Sequence, residues 1–148
     1  DAFRATLEEV TRADVLIDDV NGDLQQVAHL IAATPADFKV LSGDDWATLP
    51  MLALGGAGVI STASNVAPGD VVELVRAFRA GDLVRARDVY YRLLPLLDAL
   101  FCETNPIPVK AALAMRGLIQ EELRLPLVRI SDSNRARLQL ALKEFGLL

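Results

Sequence analysis

An amine that attacks a ketone must be neutral when it does so, which asks for a lysine of lowered pKa at the floor of a pocket. The chain has three lysines, Lys39, Lys110 and Lys143. Lys39 sits inside a short apolar run, and Lys110 and Lys143 sit in helical patterns, so each reads as a surface or helix-packing residue. Carboxylates come in two adjacent pairs. Asp18, at the end of an apolar run and beside the like charge of Asp19, could serve as a general base, but the pair can equally just polarise a strand terminus and its loop. Asp44 and Asp45 precede a helical pattern and read as helix caps rather than as an acid/base pair. His29 stands next to Leu30 with no acidic or thiol residue three or four positions on, which makes it a poor ligand. A single cysteine, Cys102, excludes an intramolecular disulfide. With one histidine there is no Cys/His spacing that would hold zinc, so no metal is expected. Cys102 reads as a small buried hydrophobe, because a position near the end of a long helix lacks what activates a thiol.

The elements that must carry these residues follow from periodicity. Phe3, Leu7 and Val10 recur at helical spacing over 2–12, and Val15-Leu16-Ile17 reads as a buried strand. Leu24, Val27, Leu30 and Ile31 mark a helix from Asp23 to Ala33, ended by Thr34-Pro35. Phe38 to Leu41 is a strand. Asp44 and Asp45 introduce a helix carrying Trp46, Leu49, Met51, Leu52 and Leu54, stopped by Gly55-Gly56. Gly58 to Ser61 is a third strand. Strands separated by ten or more helical residues cannot pair as hairpins, so the pattern predicts a parallel α/β sheet with right-handed crossovers.

Beyond Pro68-Gly69 the chain reads as helix throughout. Asp70 to Ala80 is closed by Gly81. Asp82 to Phe101 is a long helix with Leu83, Ala86, Val89, Tyr90, Leu93, Leu94, Leu97 and Phe101 on its apolar face, and one of Tyr90 and Tyr91 faces the core. Pro106 to Met115 has proline in its first turn and Gly117 at its end. A last helix starts at Ser131-Asp132-Ser133, carries Ala136, Leu138, Leu140, Ala141, Leu142 and Phe145, and stops at Gly146. The expected division is 1–67, helix–strand units, and 68–148, helical. There is no internal repeat.

An apolar share of 52% over 148 residues and a mean hydropathy of +0.31 provide ample material for a core. No apolar run approaches the roughly 18 to 20 residues that cross a bilayer, and Asp1-Ala2-Phe3-Arg4 has none of the regions of a signal peptide, so a cytoplasmic protein with no membrane partner is expected. A net charge of −5 and a pI near 4.8, with scattered basic residues, argue against nucleic-acid binding.

Three blocks together carry a specific resemblance: Phe38-Lys39-Val40-Leu41-Ser42-Gly43-Asp44-Asp45, Gly58-Val59-Ile60-Ser61 and Asn105-Pro106-Ile107-Pro108-Val109-Lys110, supported by Arg124-Leu125-Pro126. In this order they resemble the second half of the dihydrodipicolinate synthase family, pyruvate-dependent lyases of the (β/α)8 barrel, from about Gly22 to Leu148. The resemblance implies a half TIM-barrel-like parallel sheet of about three strands, with the last three helices as an all-helical C-terminal extension. A closed barrel takes roughly 200 to 250 residues, so only part of one is expected here. It also implies that Gly43, by close backbone approach, and Ile60, through its carbonyl, line a pyruvate pocket, and Ser61 and Asn65 fit the same pattern. In the family the Schiff-base lysine ends the sixth strand in a stretch like Gly-Ile-Lys-Glu-Ala-Thr-Gly-Asp. Here the stretch is Leu16-Ile17-Asp18-Asp19-Val20-Asn21-Gly22-Asp23, with Asp18 at the lysine position. Lys39 lies within a strand rather than at a C-terminal end, where barrel enzymes keep catalytic groups. The family's proton-relay tyrosine, its threonine neighbour and the substrate-holding arginine belong to the first half of the barrel.

Residues 1–17, with Ala2 to Val10 and Ala13-Asp14-Val15-Leu16-Ile17, look similar instead to a helix–strand unit of the G domain of HflX-type GTPases. They contain no Gly-x-x-x-x-Gly-Lys-Ser loop, and no Asn-Lys-x-Asp motif occurs, so nucleotide binding does not come with the likeness. The expectation is a non-catalytic barrel half joined to a foreign unit, an engineered chimera or a relic. It has no catalytic residue and no cofactor, and it self-associates as a homodimer to cover its sheet edges. The alternative is a pyruvate-dependent aldolase, of the 4-hydroxy-tetrahydrodipicolinate synthase kind, active only with the missing half.

Overall fold

The computed structural model describes residues 15–18, as backbone, and 23–148. The helix expected over 2–12 lies outside the described residues. The chain forms two compact units, Asp1–Ser61 and Thr62–Leu148.

The first unit holds a three-stranded parallel sheet in the order β1-β2-β3. Its strands are β1 (Val15–Asp18), β2 (Lys39–Ser42) and β3 (Gly58–Val59). Helix α1 (Leu24–Ala33) connects the first two strands, and helix α2 (Thr48–Leu54) the last two. Asp23 caps α1 with its carboxylate, which accepts from the amides of Gln25 at 3.0 Å and Gln26 at 3.1 Å, filling orphan donors of the first turn. β2 is short and alternates, Val40 and Ser42 buried and Lys39 exposed. The Val40 side packs with Val27, Leu30, Ala47 and Met51 into the unit's core, with Ile31 and Phe38 against it. α2 ends at Gly55, whose φ of 106° is left-handed, and the next amide, of Gly56, bonds back to the Met51 carbonyl at 2.8 Å. A Cβ on Gly56 would stand 2.8 Å from that same oxygen, so the turn closes only without a side chain.

Two expectations for α2 need correction. Asp44 and Asp45 do not cap it: the N-cap position is Ala47, with no side-chain bond, and Trp46 precedes the helix. Asp44 instead folds back on its own loop, Oδ1 accepting from the Trp46 amide at 2.9 Å, an Asx turn.

The second unit is helical: a 3₁₀ turn at Ala63–Asn65, then α3 (Pro68–Arg79), α4 (Leu83–Leu100), α5 (Ile107–Met115) and α6 (Asp132–Phe145). α3 packs on α4, and α6 packs on both α4 and α5. The core is drawn from Leu74, Val89, Leu93, Leu96, Leu97, Leu100, Leu138 and Leu142. Leu83 and Leu140, expected on apolar faces, are instead 58% exposed each. Leu83 is the first residue of its helix, directly after the Gly81-Asp82 turn. Long-range polar ties fix the loops: Arg116 donates to the Val66 carbonyl at 2.6 Å, Lys110 Nζ to the Glu122 carbonyl, and Arg135 holds Glu121 in a forked pair with both bonds at 2.8 Å.

Candidate functional site

Register brings the sequence-derived site residues to one end of the sheet. Asp18 pairs with Ser42, and Ser42 with Val59. All three strands run parallel, so these are the C-terminal ends, and Gly43 and Ile60 each lie one residue beyond. Leu41 and Gly58 are also partners, and a Cβ on Gly58 would meet Leu41 Cδ2 at 3.4 Å, which puts both on the sheet face opposite Val40. Alternation then carries Ile60 to that same face. Its side chain is 53% exposed.

The backbone at this end is tightly tied. The Ile60 amide donates to the Ser42 carbonyl at 2.8 Å, extending the ladder past β3. Ser42 Oγ donates to the Asp44 carbonyl at 2.7 Å and accepts from the Asp44 amide at 3.1 Å, so the chain bends around Gly43. Asp45 is 4% exposed, and its Oδ1 accepts a hydrogen bond from Ser61 Oγ. Sequence reasoning missed this contact. Adjacent aspartates before a helix give a local signal for capping, whereas the Asp45–Ser61 bond joins residues 16 apart and leaves no local trace.

The other candidates are dispersed. Lys39 opens β2, at the end opposite to Gly43. Lys110 lies in α5 and Lys143 in the last turn of α6. His29 lies within α1. Cys102 is a half-buried free thiol whose pKa is raised, chiefly by burial and further by Glu103, with Arg137 opposing, the reverse of what an attacking thiolate needs. Among the described residues no group of three or more His, Cys, Asp or Glu side chains could hold a metal ion, and no helix is long and apolar enough to cross a membrane.

Parallel strands alternating with helices, with the candidate residues gathered at the strand C-termini, define the class: a parallel α/β protein. Comparison with known proteins gives the family. The Dihydrodipicolinate synthetase family model matches residues 6–145, and the chain belongs to that family. The chain is 50% identical over 132 residues to the 4-hydroxy-tetrahydrodipicolinate synthase of Syntrophus aciditrophicus (strain SB), covering 89% of this chain and 45% of that protein. It is 47% identical over 146 residues to the enzyme of that name from Syntrophobacter fumaroxidans, 97% of this chain and 50% of the relative. The crystal structure of dihydrodipicolinate synthase from Aquifex aeolicus superposes with a TM-score of 0.93 at 40% identity, over 98% of this chain and 50% of that one. The chain thus spans about half the length of the relatives it matches.

Proposed function

We propose that this chain is a C-terminal half of a synthase-type barrel that presents part of a pyruvate pocket through Gly43 and Ile60 and does not itself form the imine. The observation that carries this reading is the placement of the lysines. All three lie among the described residues, and none stands at the C-terminal end of a strand. That place in β1 is held by Asp18, and a carboxylate cannot form a Schiff base. Borohydride reduction in the presence of pyruvate, read by mass spectrometry, is expected to leave the chain unmodified. A stable adduct on Lys39, Lys110 or Lys143 would overturn the assignment.

The 45% and 50% shares of the relatives' lengths favour a second reading, a 4-hydroxy-tetrahydrodipicolinate synthase activity that needs a first-half polypeptide. Co-expression with such a polypeptide distinguishes the two: turnover of pyruvate by the pair, absent from either part, would establish the lyase. A separate, GTPase-like ancestry for residues 1–17, and with it a chimera, draws no support from a family match that begins at residue 6. Titration with GTP is expected to give no heat. The reading keeps 1–67 as barrel units and 68–148 as the helical part, places the protein in the cytoplasm and includes a homodimer.

A further inference from the structure

Three polar residues are buried among those described: Ser42, Asp45 and Thr48, at 0%, 4% and 2% exposure. They lie within seven positions of one another, at the turn where β2 ends. Taking a carboxylate out of water is costly unless it is bonded. Asp45 is engaged by Ser61, whose hydroxyl donates to Oδ1. The two partners bracket the strand ends: Ser61 directly follows Ile60, and Asp45 comes two positions after Gly43. Neither residue between them is fixed by its own side chain, since Gly43 has none and that of Ile60 is 53% exposed.

We propose that Asp45 and Ser61 are positioning residues, whose hydrogen bond sets the spacing and direction of the Gly43 and Ile60 backbone groups toward a small 2-oxo acid. A ligand held by backbone groups can be oriented only by fixing the backbone, which a directional bond does and an apolar contact does not. Two further ties act in the same sense, Ser42 Oγ closing the loop about Gly43 and the Ile60 amide bonded to the Ser42 carbonyl. The inference rests on the assignment of Gly43 and Ile60 made above.

The test combines residue-resolved amide hydrogen exchange of the full chain with titration by pyruvate. Ser61→Ala is expected to speed exchange of the Ile60 amide by about tenfold, to leave the Met51 amide of α2 unchanged, and to weaken pyruvate binding about fivefold. Ser61→Thr, which keeps the hydroxyl, restores both. An Ile60 amide that exchanges at the wild-type rate in Ser61→Ala overturns the proposal, and so does unchanged pyruvate affinity when exchange has quickened. If the wild-type chain takes up no pyruvate while Ser61→Ala still frees Ile60, the pocket reading falls and the positioning of the two strand ends is upheld. Should Ser61→Ala free Met51 as well, the comparison passes to Ser61→Cys, a weaker donor, under the same criteria.

Discussion

Glu103 shows how a single loop carboxylate organises the start of a helix. Its Oε1 accepts from the Ser131 amide at 3.0 Å, the Ser131 hydroxyl at 2.6 Å and the Asn134 side chain at 2.8 Å. Ser131, at the N-cap, makes no side-chain cap bond of its own, and Glu103, 28 residues away, satisfies the N-cap amide instead. The hydrogen bonds from Ser131 and Asn134 hold its carboxyl below the usual range. A carboxylate of lowered pKa contributes fully above its unfolded value, and the contribution disappears as pH falls through the folded one. Glu103→Gln is therefore expected to lower the urea midpoint at pH 7, with the gap to wild type closing as the solution is acidified below about pH 4. Cys102 behaves oppositely. With its pKa raised by burial, the thiol stays protonated at neutral pH, and alkylation by iodoacetamide at pH 7.5 is expected to be slower than that of a free cysteine by about tenfold. A rate equal to the free thiol's would contradict the assigned environment.

At the scale of elements, the helix boundaries test how far local rules reach. Gly55→Ala forces a side chain into a left-handed position at the end of α2 and is expected to cost about 1 kcal/mol in chemical denaturation. Met51→Ala and Leu142→Ala each empty a site of 0% exposure, and each is expected to cost about 2 to 5 kcal/mol. Much of this order was legible in the sequence. Asp23 with Thr34-Pro35 bounds α1, Asp82 caps α4 through the Arg85 amide at 2.9 Å, and Val15 to Ile17 and Phe38 to Leu41 give strands within a residue of those observed. In each case the signal lies within a few residues of its effect. What sequence reasoning misplaced depends on distant partners: Asp45 answers Ser61 across the sheet end rather than the helix beside it, and the amide of the cap residue Ser131 is met by Glu103, 28 residues away. For the candidate residues, the common level of Gly43 and Ile60 at the strand ends was not legible, because register is a property of the pairing.

For the molecule as a whole, the open feature is the sheet. Among the described residues it ends at β1 on one side and β3 on the other, and parallel sheets are seldom left with bare edges. A homodimer that covers them is expected to run in light scattering at twice the 16.0 kDa chain mass. A monomer at micromolar concentration would refute it. The parallel register also orders events in time. Val15 pairs with Lys39 and Leu41 with Gly58, separations of 24 and 17 residues, so no rung of the ladder can close until the helix between its strands has folded back. Hairpins such as α3 and α4, joined at Gly81, need no such wait. In refolding from denaturant, helical signal should therefore precede protection of the Ile60 amide.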